Sequence, residues 1–219
     1  MNDPMINTAI SFVGGSRGHL VYNIFNNILY DTEIHILPNG SSHVRNKDTL
    51  FVANKYELDD NSYEQEQEYL EYFVEPLIGE GYKTILGHIR NLKTLSLICD
   101  KVIYIDFDKN DIEELHNNII KKTVLDRDTY EMLRGADWPE YSDQLPSSIL
   151  DEIYELNKKH FKEWKYILPD DKSNILKIEY KDILKGKWLS NLFTFLEVKE
   201  TKSKMEYLHK RLDSYTQKQ

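Results

Sequence analysis

Apolar positions along the chain fall into short runs that alternate with amphipathic stretches. Thr8 to Val13 (TAISFV) is a short, mostly apolar run of strand length. It meets Gly14-Gly15-Ser16-Arg17-Gly18 and then His19 to Tyr30, where Leu20, Val21, Ile24, Phe25, Ile28 and Leu29 recur with the i, i+4, i+8 spacing of a helix face. This reads as strand, tight loop, helix. Glu33 to Leu37 (EIHIL) is expected to be a second strand, closed by the turn cluster Pro38 to Ser42. A helix joins the two runs, so the strands are expected to be parallel. The apolar island at 50 to 53 (LFVA) fits either strand or helix, and the polar stretch around it fits a substrate-covering loop.

Further on, Tyr63 to Ile78 reads as a helix that stops toward Gly79 and Gly81, followed by a strand at Lys83 to His88 (KTILGH). Arg90 to Cys99 is a short helix or turn, and Lys101 to Ile105 (KVIYI) is the most strand-like run in the chain. Asp111 to Lys122 places Ile112, Leu115, Ile119 and Ile120 on one helical face, and Val124 to Leu133 extends the helical reading. Residues 135 to 146 form a loop with aromatic anchors Trp138 and Tyr141, and Ser148 with Asp151 opens a helix toward Tyr166. Asn174 to Tyr180 is a late strand and Leu189 to Leu196 a helix. A polar helical tail at about 200 to 219 carries one seam, Met205, Leu208, Leu212 and Tyr215, which either packs on its own domain or supports a homodimer.

Strands alternating with helices predict a single α/β domain over residues 1 to 219, a three-layer α/β/α sandwich with a mostly parallel central sheet. Ligands of such sheets sit at the carboxyl ends of the strands. That rule selects Gly14 to His19, Pro38 to His43, His88 to Arg90 and Asp106 to Asp108.

Composition narrows the function classes. The chain has 219 residues, with 28 Lys and Arg against 37 Asp and Glu, a net charge of -9. That balance disfavours a nucleic-acid polymer as partner, while an anionic small ligand needs only local geometry. No apolar run approaches the roughly 20 residues of a bilayer crossing, so membrane insertion is not expected. The amino-terminal stretch carries Asp3 where a signal peptide wants positive charge, and the single cysteine, Cys99, reads as a core residue; a cytoplasmic location is the expectation. No Cys/His cluster has zinc spacing, and no metal is expected.

The junction GGSRGHL carries the chemistry. Successive amides of a glycine turn at a helix N-terminus make a seat for phosphate or sulfate, so Gly14, Gly15, Ser16, Arg17, Gly18, His19 and Leu20 are the candidate anion-binding residues. Arg17 adds a fixed positive charge. The loop has neither the Lys nor the hydroxyl of a GxxxxGK[ST] sequence, nor GxGxxG spacing. His88, in GHIR at a strand's carboxyl end, is the first candidate base for an acceptor hydroxyl, with His19 and His43 as alternatives. Arg90 and His43 are candidate substrate contacts. Asp106 and Asp108 end an apolar strand and could hold Mg²⁺, or Asp108 or Asn110 simply caps the following helix.

Together these features resemble the sulfotransferase family, whose P-loop-like fold opens with a strand, a loop of the type [KR]-S-G-T-T and a helix. Here the loop reads Arg17-Gly18-His19-Leu20. The segment at 175 to 198 is similar to the family's terminal strand ending in YEDL and the helix after it, with Glu179 to Leu184 (EYKDIL) carrying the match. The resemblance implies 3′-phosphoadenosine 5′-phosphosulfate as sulfuryl donor, with Arg17 and the loop amides on its 5′-phosphate and a hydroxylated molecule as acceptor. The family grips the 3′-phosphate with an Arg ending the central strand and a Ser about eight residues later. Asp106 or Phe107 and Leu115 stand at those positions here. Two alternatives follow: a noncatalytic protein that binds an anion or nucleotide, and a Mg²⁺-dependent nucleotide phosphotransferase using Asp106 and Asp108.

Overall fold

In the computed structural model, residues 7–34, 47–52, 62–125, 155 and 158–217 are described. Five strands, β1 (Thr8–Ser11), β2 (Thr49–Val52), β3 (Thr84–Gly87), β4 (Lys101–Asp106) and β5 (Ile175–Glu179), form one sheet in the order β2-β3-β1-β4-β5. All four pairings are parallel. Helix α1 (Gly18–Tyr30) follows β1 and α2 (Ser62–Tyr69) precedes β3. After β3 come α4 (Leu92–Ile98), β4 and α5 (Ile112–Leu125). Helices α6 (Leu189–Phe195) and α7 (Lys202–Gln217) follow β5. Between α2 and α3 (Glu75–Gly79) the helix runs through a π-turn at Leu70–Val74. Pro76 lacks the N–H that would bond four residues back, which favours a register slip of this kind, and Leu70 and Val74 both remain buried.

Side chains alternate along each strand and feed two separate cores. Ile10, Leu86, Ile103 and Ile105 join Leu20, Ile24 and Phe25 of α1, Leu192 and Phe193 of α6, and Leu208, Leu212 and Tyr215 of α7. Ala9, Ile85, Val102 and Tyr104 point the other way, onto Leu70, Val74, Leu92 and Leu95. The sheet is therefore covered on both faces, which gives the expected three-layer α/β sandwich. The α7 seam lies inside the first core, each buried leucine contributing about 1.5–3 kcal/mol. Its apolar face packs within the chain, as one of the two expectations had it.

One strand differs from the sequence reading. The second strand of the sheet is Thr49–Val52, the ambiguous island, while Glu33 and Ile34 lie outside the sheet and 35–46 lie outside the described residues. Ile34 is fully buried and the Arg211 guanidinium donates to its carbonyl. The apolar residue there anchors to the core without entering a ladder. Val124 and Leu125 end α5. The rest of the 124–133 reading, the 135–146 loop with Trp138 and Tyr141, and the Ser148/Asp151 helix start lie outside the described residues, as do Pro38 to His43.

Candidate functional site

The Gly14–Leu20 turn sits at the carboxyl end of β1, in the middle of the sheet with β3 and β4 on either side. Gly15 has φ 81°, a left-handed conformation that suits glycine, and Arg17 caps α1 at φ 64°, ψ 26°. Ser16 turns inward: its N–H donates to the Val13 carbonyl at 3.2 Å and its hydroxyl to the same oxygen at 2.6 Å. Ser16 therefore shapes the turn. Gly18 is required by contact, because a Cβ there would lie 2.1 Å from Phe12 Cγ. Leu20 is buried in the core and its N–H donates to the Arg17 carbonyl at 3.0 Å, so it offers an anion neither side chain nor amide.

Arg17 is 8% exposed. Its guanidinium lies 4.6 Å over the Tyr180 ring centroid and its Nη2 pairs with Glu114 at 2.7 Å. From the same helix, four residues on, Asn118 Nδ2 donates to the Gly15 carbonyl at 3.2 Å and to the Tyr180 hydroxyl at 2.8 Å. Burial, the main cause, pushes the Tyr180 phenol above its ordinary range, with Arg17 pulling the other way. Glu114, Asn118 and Tyr180 were not singled out from the sequence. The available signal was polar residues four apart on the helix after the central strand, together with the Tyr of EYKDIL.

His19 and His88 are brought to the same place. Around the Phe12 ring, His19 lies at 5.5 Å edge-on and His88 at 5.0 Å tilted. Phe51 of β2 stacks on His19 at 5.9 Å and meets His88 edge-on at 6.0 Å. His19 is buried and His88 half-buried. The four rings form a box at the carboxyl ends of β1, β2 and β3, beside the N-terminus of α1. Three neighbours hold the His88 segment: the His88 N–H donates to the Val52 carbonyl at 3.0 Å, Ser11 Oγ donates to the Ile89 carbonyl, and Glu66 Oε1 accepts from the Arg90 and Asn91 amides at 2.6 and 2.7 Å.

Arg90 is turned away from solvent, at 1% exposure, with its charge against Glu66 (Nε to Oε2 3.4 Å) and over the Tyr63 ring at 4.3 Å. The sequence made Arg90 a candidate substrate contact; here its charge is spent on Glu66 and Tyr63. Burial chiefly raises the Glu66 carboxyl above its ordinary value, while the Asn91 amide and Arg90 pull it down. Burial and the nearby Arg90 charge lower His160 to about 4, so it is neutral at physiological pH.

At the end of β4, Asp106 pairs with Lys177 of β5 at 2.7 Å, and Asp108 accepts from the Asn110 amide at 2.7 Å and lies 3.9 Å from Lys181. The Asp111 carboxylate in turn accepts the Asp108 N–H at 2.9 Å, closing the turn that starts α5. Among the described residues no three His, Cys, Asp or Glu side chains are grouped as a metal site, and no helix is long and apolar enough to cross a membrane.

No family model matches the chain, and no curated protein sequence does. Among solved structures, the chain is similar to mouse sulfotransferase SULT7A1 complexed with PAP, at 13% identity and a TM-score of 0.43. The alignment covers 96% of this chain and 65% of that one, so the chain spans just under two thirds of that protein's length.

Proposed function

We propose that the chain binds an anionic nucleotide on the Gly14–Leu20 turn and transfers a sulfuryl group from 3′-phosphoadenosine 5′-phosphosulfate to a hydroxylated acceptor. The observation that carries this reading is the turn itself: a left-handed glycine, an arginine at the helix cap and the first amides of α1, all at the carboxyl end of the middle strand. The sequence resemblance of this loop and of the EYKDIL segment to the sulfotransferase pattern supports 3′-phosphoadenosine 5′-phosphosulfate as the donor.

The donor brings an activated sulfuryl group on a phosphate leaving group, and the transfer needs no metal. The protein's part is to hold charge and move one proton. Amides at the α1 N-terminus and the Arg17 guanidinium stabilise the negative charge that grows on the leaving phosphate. His88, the first candidate base, takes the acceptor's hydroxyl proton; its ring is fixed by Phe12 and Phe51 and its backbone by Val52, which supports a defined orientation. His19 shares the same walls and is the second candidate. Arg90, committed to Glu66, supports the loop that carries His88, and any contact it makes with substrate requires that pair to open.

The noncatalytic reading draws on a separate observation. At the positions where the family grips the 3′-phosphate, Asp106 is paired with Lys177 and Leu115 is buried in the core. The phosphotransferase reading is weakened, because Asp106 and Asp108 are both engaged by lysines or backbone amides.

Calorimetric titration of 3′-phosphoadenosine 5′-phosphate into the wild type and Arg17→Ala, with ATP plus Mg²⁺ as the comparison, tests the reading. Binding of the former that is lost in Arg17→Ala supports sulfuryl transfer and calls for an acceptor screen. Binding without turnover over that screen selects the noncatalytic reading. Preferential binding of ATP with Mg²⁺ selects phosphoryl transfer.

A further inference from the structure

The geometry points to Glu114 as an internal counter-anion that occupies the anion seat of Arg17 and must be displaced before any phosphate or sulfate is bound there. This inference rests on the proposed anion site and deepens it by naming the residue that regulates access.

The asymmetry of the pair carries the argument. Arg17 is the buried partner: its side chain is 6% exposed, it caps α1 in a left-handed conformation, and its guanidinium lies over the Tyr180 ring. Glu114 is 57% exposed, on the first turn of α5, and reaches inward to place Oε1 2.7 Å from Arg17 Nη2. One partner is buried, while the other is a surface carboxylate shared between the Arg17 guanidinium and the Tyr180 hydroxyl. A carboxylate and a sulfate or phosphate present the same oxygen acceptors to a guanidinium, so Glu114 and an incoming anion compete for one set of donors.

Asn118 shows that α5 is built over this turn. One helical turn beyond Glu114, it bridges the Gly15 carbonyl and the Tyr180 hydroxyl. Those contacts hold the turn and the tyrosine platform when Glu114 leaves, which gives up its bonds to Arg17 and to the Tyr180 hydroxyl. Glu114 acts as a filter as well. A weakly held or monovalent anion gains little over the internal carboxylate, whereas a multiply charged anion that also bonds the α1 amides displaces it.

Binding of inorganic sulfate and of 3′-phosphoadenosine 5′-phosphate is to be measured by calorimetry on the full chain. The proteins are the wild type, Glu114→Gln, Glu114→Ala, Glu113→Gln and the double variant Arg17→Ala/Glu114→Gln, each checked for wild-type circular dichroism. Glu113 is exposed on the same turn, and its change removes the same charge without touching Arg17. The expected result is a gain of about tenfold or more in sulfate affinity for both Glu114 variants, about 1.4 kcal/mol. Glu113→Gln is expected to leave sulfate affinity unchanged, and the double variant to lose the gain. Equal affinity in wild type and the Glu114 variants overturns the inference, as does a gain that survives without Arg17 or that Glu113→Gln reproduces. If the sulfate gain is present and the nucleotide fails to bind every variant, the counter-anion stands and the sulfuryl-transfer reading falls.

Discussion

Replacing Glu66 should unlock the segment that carries His88. Glu66 is 5% exposed, and its carboxylate accepts two backbone amides, at 2.6 and 2.7 Å, besides facing Arg90, which is 1% exposed. Glu66→Ala leaves a buried guanidinium opposite an empty space and strands both amides. Breaking one side of a buried pair costs about 3–5 kcal/mol. Glu66→Gln keeps an oxygen for the two amides but turns an NH₂ toward the Arg90 donor, and losing that charge-assisted contact costs about 2 kcal/mol. With a urea m-value of about 2–3 kcal/mol/M, the unfolding midpoint should fall by about 1–2.5 M in Glu66→Ala and about 0.7–1 M in Glu66→Gln. A fall of less than about 0.3 M in Glu66→Ala, or equal falls in the two variants, would refute the clamp. The sign of the pH dependence follows from burial. The Glu66 carboxyl is raised above its ordinary value of 4.5, so its titration favours the folded state below that value, and this contribution is lost as pH rises through the raised pKa. Wild type should therefore gain on Glu66→Gln as pH falls from 7 toward 4.5.

Three further outcomes follow from the packing. Gly18→Ala drives a Cβ to 2.1 Å from the Phe12 ring and should cost about 1–3 kcal/mol in urea unfolding, with the His19 and His88 imidazole resonances shifted because both rings rest on Phe12; unchanged resonances would contradict the box. Cys99 is buried and its thiol pushed up to about 12, so a chromogenic disulfide reagent at pH 8 should leave the folded protein untouched and react once urea unfolds it. His160 should titrate near pH 4 by NMR, where an ordinary midpoint near 6.5 would deny its burial beside Arg90.

The layered fold was legible because its signals are local. Runs such as KVIYI and KTILGH, separated by helical periodicity, announce parallel strands, and the glycine turn after TAISFV announces a strand-to-helix crossing. Of EIHIL, which alternates as an edge strand does, Glu33 and Ile34 lie outside the sheet and Ile34 is buried in the core. TLFV lies among polar neighbours and is stapled to β3 by backbone pairing that no side-chain pattern records. Gly87 makes that pairing close, since a Cβ there would lie 2.1 Å from the Val52 carbonyl oxygen.

The candidate site divides the same way. GGSRGHL and His88 could be read from residue type and position in the chain. Glu114, Asn118 and Tyr180 could not, because they meet Arg17 and Gly15 across 97 to 163 residues of chain, and only the β1–β4–β5 adjacency brings them together. Arg90 illustrates the converse: a charged residue in a strand-end loop suggests solvent, and a carboxylate 24 residues earlier takes it inside.

The central claim is that the Gly14–Leu20 turn is where an anionic nucleotide binds. Amide chemical-shift mapping with 3′-phosphoadenosine 5′-phosphate on the isotope-labelled full chain tests it most directly. The largest saturable shifts should fall on Gly14 to Leu20, with smaller ones on Glu114 and Asn118. Shifts centred elsewhere, such as the Lys177 and Lys181 end of β5, or no saturable shift at all, would contradict it.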